Sequence, residues 1–334
     1  MENTVIILGA GASVDYGYPT GLELTESISD HGTIQAAKRD LDKHRQQLQN
    51  YSQLATGLSR IDEHFFMSRD FSIDSWLARE ENRICSEAGK FLITLLIARR
   101  ERAPFTRENF FRLQGTDRTE RRNDWYRHLS KAMKTDTFGE FGAINANLTI
   151  VTFNYDRSLE YYLINAIKHG YPGHSDEDYK RQLKKINIFH IYGHVGELPE
   201  IGDGRIVPYG VQTDFLRVLK RSEGLRIIPE LREADNPTIG EIRNGISKAS
   251  NIFFVGFGYD AENLNLLGFP IQSDRNDIIK ISGTFYKMEE AEIEIAKTQV
   301  KVIHNNGQAS QIKPYPDCDA YKFFRRVVIG ALNS

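Results

Sequence analysis

Apolar and polar positions follow two alternating patterns along this chain. Short, nearly unbroken apolar runs stand at Val5–Leu8, Leu148–Phe153, Ile186–Tyr192 and Ile252–Val255, with weaker ones at Ile278–Ile281 and Val300–Ile303. Runs rich in Val and Ile that stop at Gly or Asn read as strands buried on both faces. Between them the apolar spacing changes to three and four. Leu159, Tyr162, Leu163, Ala166 and Ile167 follow Asp156, a residue able to cap a helix; Ile239, Ile242, Ile246 and Ala249 precede the fourth strand. Phe323, Phe324, Val327, Val328 and Leu332 predict a C-terminal helix packed on the core. Strands separated by helices predict an α/β protein with a mainly parallel sheet flanked by helices on both faces.

One stretch departs from this alternation. Residues 33–143 contain no convincing strand but show helical patterns over Phe65–Glu80, Ile84–Ile97 and Asp124–Met133. Crossovers between parallel strands usually run far shorter, so this is read as a large helical insertion or subdomain within a single domain spanning 1–334. Such a layer beside a nucleotide site often walls a cleft. Lys38–Gln53 is polar enough to be an exposed helix or a loop.

Composition narrows the function classes. Of 334 residues, 40% are apolar and 26% charged, the balance of a globular chain that can bury a sizeable core. The 43 basic and 45 acidic residues leave a formal charge of -2, so nothing global favours nucleic acid. The basic run Arg118, Arg121, Arg122, Arg127, Lys131 and Lys134 is either a local patch or a solvated helix face. Cys85 and Cys318 are too few for a disulfide framework or a cysteine zinc module. The apolar run Phe91–Ala98 ends at Arg99, too short to span a bilayer, and the N-terminal residues lead straight into a strand. A cytoplasmic setting without membrane attachment is the expectation.

Four strand ends carry chemistry. Val5–Leu8 runs into Gly9-Ala10-Gly11-Ala12-Ser13, where a tight glycine turn before a helix either cradles a phosphate or serves packing alone. The dinucleotide fingerprint of dehydrogenases wants glycine where Val14 stands. Thr152-Phe-Asn-Tyr-Asp156 ends the second strand; alternation sends Asn154 and Asp156 the same way, to hold a ribose hydroxyl or water, unless Asp156 only caps the next helix. In Phe189-His-Ile-Tyr-Gly-His194 a period of two puts His190, Tyr192 and His194 on one face if the strand runs that far, and imidazole can accept a proton. As metal ligands the two histidines fit poorly, roughly 13 Å apart along a strand unless Gly193 breaks it. Ile252–Val255 empties into Gly256 and Gly258, then Asn263, groups suited to ribose or adenine. Four such ends suggest one ligand crevice.

In this order the segments Gly9-Ala-Gly-Ala-Ser13 with Tyr18-Pro-Thr-Gly21, Thr152-Phe-Asn-Tyr-Asp156, His190-Ile-Tyr-Gly-His194 and Val255-Gly-Phe-Gly258 resemble the sirtuin-like (SIR2-like) family. The resemblance implies a Rossmann-like sheet and a reaction with NAD. It assigns Gly9, Ala10, Gly11, Ala12, Ser13 and Thr20 to the phosphates, and Asn154 and Asp156 to the nicotinamide ribose; Tyr192, Gly256, Gly258 and Asn263 complete the nucleotide site. The family's base is a histidine just before a glycine, yet Tyr192 precedes Gly193, leaving His190, preferred here, or His194. Without a zinc module the chain looks most like bacterial SIR2-like NAD hydrolases of antiviral defence. That implies NAD+ as substrate with no other cofactor, a homo-oligomer, and activation by a separate protein such as a hexameric DNA-translocase ATPase or an Argonaute-like protein. The competing expectation is a non-catalytic NAD- or ADP-ribose-binding regulatory or scaffold subunit.

Overall fold

The computed structural model describes residues 2–101, 123–202, 204, 206–211, 214–231, 236–275 and 277–333. Eight strands form one sheet: β1 Thr4–Leu8, β2 Leu148–Thr152, β3 Asn187–His190, β4 Asn251–Val255, β5 Ile271–Ser273, β6 Lys280–Thr284, β7 Lys301–His304 and β8 Ala309–Tyr315. Their order is β3-β2-β1-β4-β6-β8-β7-β5, and each neighbouring pair is parallel except β7 with β8. Every residue of β1, β2 and β4 is buried, as expected for central strands covered on both faces. The chain is therefore a mixed α/β protein with a large helical insertion between β1 and β2.

Register sets where the strand ends meet. Leu8 pairs with Thr152 on one side and Val255 on the other, and Thr152 pairs with His190. The segments after β1, β2, β3 and β4 thus leave the sheet at one edge, in one row. Strand order reverses beside β1, because β2 and β3 build outward on one flank and β4 on the other. Ligands of open α/β sheets settle at such a reversal, beyond the strands' carboxyl ends.

The insertion is helical throughout its described part. Its centre is Ser86–Arg100, buried on nearly every side and packed against Tyr51–Arg60 and against Phe215–Ser222. This explains the apolar run Phe91–Ala98: it is a core helix, and no helix among the described residues is long and apolar enough to cross a membrane. The expected helix over Phe65–Glu80 is instead broken. A helical run ends at Ser68, and Ile73–Leu77 restarts after Ser72, whose hydroxyl accepts from the Ser75 N–H. The polar stretch from Lys38 belongs to helix His31–Lys43, which buries only Ile34, Ala37 and Leu41. Arg118, Arg121 and Arg122 lie outside the described residues.

Two strands escape the apolar pattern. β5 is three residues long, and β8 buries Ser310 beside Ile312, so its inward face is partly polar. The Ser310 hydroxyl accepts the Ile279 N–H and meets Nε2 of His304, which satisfies it inside the protein. The expected strand at Ile278–Ile281 begins later, at Lys280, with Ile278 exposed. The C-terminal helical segment forms as expected, and Phe324 stacks on Trp125 of the insertion at 4.8 Å.

Gly256 tests the row of strand ends. Its φ is +59°, and a Cβ there would lie 2.2 Å from the Ala12 nitrogen. Gly256→Ala should destabilise the fold by about 2 kcal/mol or more, while Gly240→Ala, in an exposed helix position with open space around it, should stabilise by about 0.5–1 kcal/mol. Urea unfolding of the two variants measures both; equal effects would overturn the turn geometry.

Candidate functional site

The turn after β1 is held by the turn after β4. Gly9 N–H donates to Val255 O and Gly11 N–H to Gly256 O, each at 3.0 Å. A Cβ on Gly9 would meet Gly256 O at 2.5 Å, and one on Gly11 would meet Gly256 Cα at 2.9 Å. Ala12 and Ser13 N–H groups turn back to Gly9 O and Ala10 O in a short 3-10 turn. The glycines are thus required by contact between two backbones, and the amides of Gly9, Gly11, Ala12 and Ser13 already donate inside the protein. The Ala12 carbonyl accepts from the Trp125 indole at 2.8 Å, so the insertion clamps the turn from outside.

Ser13 carries the turn's chemistry. Buried at 3% exposure, its hydroxyl accepts from Asn154 Nδ2 at 2.9 Å and lies near enough to the Asp156 carboxylate to favour its charged form. Asn154 and Asp156 therefore do point the same way, although β2 itself ends at Thr152. Asn154 Oδ1 is buried and finds no hydrogen-bond partner, a costly state for an amide oxygen unless a ligand or water completes it. Asp156 has a second duty: it accepts from the backbone and hydroxyl of Ser158 at the start of helix Ser158–Gly170. Burial pushes its carboxyl above the usual range, against the lowering pull of the Ser158 hydrogen bonds and the nearby Ser13 hydroxyl.

The histidines come together by a turn, not by strand alternation. β3 stops at His190, and the chain reverses through Gly193 at φ +69°, where a Cβ would lie 2.1 Å from Gly224 O. This leaves the His190 and His194 rings 4.9 Å apart, edge to face. Tyr192 points elsewhere and donates to Asn263 Oδ1. His190 has both nitrogens engaged: Nδ1 with Asn154 O at 2.9 Å and Nε2 with the Glu160 carboxylate. Burial lowers its pKa, but Glu160 outweighs burial and leaves it raised. His194 differs. Its Nδ1 bonds Gly196 O, which leaves the lone pair on Nε2, and burial together with the charge on His190 lowers its pKa to about 4. Of the two candidate histidines, His190 has both ring nitrogens engaged, and His194 is the neutral imidazole.

Thr20 proves to be a helix cap, exchanging hydrogen bonds with Glu23 at the start of Gly21–Ser29. Gly258 opens onto free space, and Asn263 lies on helix Ala261–Leu267, which Asp260 caps. Among the described residues, no group of three or more His, Cys, Asp or Glu is placed to hold a metal ion, and Cys85 and Cys318 are both buried and free.

Sequence reasoning missed a buried ionic cluster beneath the site. Glu101, at the end of the insertion's central helix, accepts from Arg157 Nε and Nη2 at 2.8 and 3.0 Å and from Arg221 Nη2 at 2.8 Å. Arg157 Nη1 also donates to the carbonyls of Gly196, Glu197 and Val207, and Arg221 Nε to Val195 O. These are the backbone groups of the loop that carries His194. The one available signal was Arg157 itself, a charge directly after an apolar strand and its polar end.

Glu101→Gln keeps the shape but leaves two buried guanidinium groups without a countercharge. The expected loss is about 3–5 kcal/mol of unfolding free energy, read by urea denaturation; a loss under about 1 kcal/mol would contradict the cluster's role. The chain matches no protein-family model and no curated protein sequence.

Proposed function

We propose that the protein is a Rossmann-like, sirtuin-like NAD+ hydrolase that cleaves the nicotinamide–ribose bond to give ADP-ribose and nicotinamide. The observation that carries this reading is the Asn154–Ser13 hydrogen bond at the sheet's reversal point, with the Asp156 carboxylate beside that hydroxyl and His194 entering from the next strand end. The order of the same motifs along the chain supports it independently.

In this reading the dinucleotide lies across the turns after β1 and β4, with its phosphates near Gly9–Ser13 and open space at Gly258. Asn154 Oδ1, buried and unpartnered, accepts a ribose hydroxyl or the attacking water. As nicotinamide departs, positive charge develops on the ribose, and the Asp156 carboxylate stabilises it. His194 Nε2 takes the proton released by water or hydroxyl. Nicotinamide leaves as a neutral heterocycle, so no strong acid is needed. By the same resemblance, NAD+ is the only small molecule required, the setting is cytoplasmic, and a homo-oligomer is switched on by a partner such as a hexameric DNA-translocase ATPase.

A non-catalytic NAD- or ADP-ribose-binding subunit is the second reading. Tyr192, in the place before Gly193, has its hydroxyl committed to Asn263, and both nitrogens of His190 are taken. Binding of NAD without release of nicotinamide, alone and with the genomic neighbour's product, would decide for it.

The enzyme reading makes two predictions. Free nicotinamide should appear on incubation with NAD, and Asn154→Ala and His194→Ala should each lower its rate by about a hundredfold or more with the fold intact by circular dichroism. Normal turnover in His194→Ala would remove it as base. Because a base must be unprotonated and His194 titrates at about 4, His194 should impose no acid limb on kcat from neutrality down to about pH 5; the Asp156 carboxyl, raised by burial, is the group that can impose one there. An acid limb near the ordinary imidazole value that His194→Ala abolishes would refute the neutral His194.

A further inference from the structure

Helix Ser158–Gly170 carries a carboxylate that the proposed chemistry does not use. Glu160, with its side chain 9% exposed, meets Nε2 of His190, whose own side chain is 7% exposed. The other ring nitrogen lies 2.9 Å from the Asn154 carbonyl oxygen. A carbonyl and a carboxylate both only accept, so both ring nitrogens donate and the ring is an imidazolium. The Asn154 peptide is thereby gripped at two points. Its N–H donates to Thr152 Oγ1 at 3.0 Å, and its carbonyl accepts from His190. The Asn154 side chain then has little freedom left, with Nδ2 fixed on Ser13 and Oδ1 buried beside it without a hydrogen-bond partner.

We propose that Glu160 is a positioning residue: its carboxylate holds His190 as a charged clamp on the Asn154 carbonyl, aims the Asn154 amide, and places a fixed positive charge beside His194. The charged and titratable groups around the clamp are Asp156 and Arg157 on the segment before the helix, Glu160 on the helix, and His194 across the Gly193 turn. Burial alone would discharge both members of the pair. Their direct contact reverses this, lowering the Glu160 pKa and raising that of His190. The clamp stands on geometry; only its consequence for turnover rests on the hydrolase reading.

Nitrogen-15 NMR of histidine-labelled full-length protein tests the clamp directly. At about pH 7.5 the His190 ring should show two protonated nitrogens, and Glu160→Gln should convert it to a neutral tautomer. The same substitution should lower kcat for NAD cleavage by about tenfold or more while leaving KM within about threefold. A neutral His190 in the unaltered protein overturns the proposal even if Glu160→Gln fails to fold, and an unchanged kcat overturns the positioning role. A protein that never releases nicotinamide yet shows the charged ring, lost in Glu160→Gln, sinks the hydrolase reading and leaves the clamp standing. NAD cleavage with a neutral His190 does the reverse.

Discussion

The Glu101 side chain is fully buried, and two arginines converge on its two oxygens. Removing three charges from water costs several kcal/mol for each, so the cluster persists only because its geometry and its additional hydrogen bonds compensate. Those additional bonds run to backbone carbonyls of the loop after β3. The cluster therefore joins three parts distant in sequence: the insertion through Glu101, the Asn-x-Asp segment through Arg157, and the helix Phe215–Ser222 through Arg221. The His194 loop is anchored in the core by Ile191, Val195 and Leu198, and its carbonyls are held at Val195, Gly196, Glu197 and Val207. If the cluster failed, His194 and the second strand end would lose their mutual placement.

A second constraint works from the opposite side of β1. The turns after β1 and β4 approach so closely that neither Gly9, Gly11 nor Gly256 has room for a Cβ. This contact closes the floor of the reversal point and turns Ser13 toward β2. The insertion completes the arrangement: Trp125 holds the Ala12 carbonyl, and Tyr126 bonds the Ser158 hydroxyl that in turn bonds Asp156. The helical segment between β1 and β2 thus acts as a brace for the strand ends.

Much of this was legible in the chain. β1, β2 and β4 show as apolar runs because both their faces are buried, and periodicity placed Asn154 and Asp156 on one side. What periodicity could not show is whatever depends on a turn or on a distant charge. His190 and His194 were expected to face together by strand alternation; they do meet, but because Gly193 reverses the chain. β8 was hidden because its buried position Ser310 is polar and satisfied by His304 and Ile279. The glycine turn reads in sequence either as a phosphate cradle or as a packing turn, and only the fold brings the turn after β4 against it. Glu101 and Arg221 gave no local sign, since a buried charge looks in sequence like any exposed one.

The two histidines illustrate how the surroundings divide one residue type into two roles. Their rings are 4.9 Å apart, and two positive charges at that distance repel by about 3 kcal/mol at the effective dielectric of a protein site. That is more than two pKa units, so only one ring can be charged near neutrality. Glu160 decides which. It contacts His190 directly and His194 only at longer range, while the Arg157 charge adds to the pressure on His194. The ring nearer the sheet is thereby committed to structure. The ring beyond the Gly193 turn is left neutral, with its lone pair on the nitrogen not bound to Gly196. The strand position and the position past the turn therefore differ in charge state, because Glu160 is in direct contact with one ring only.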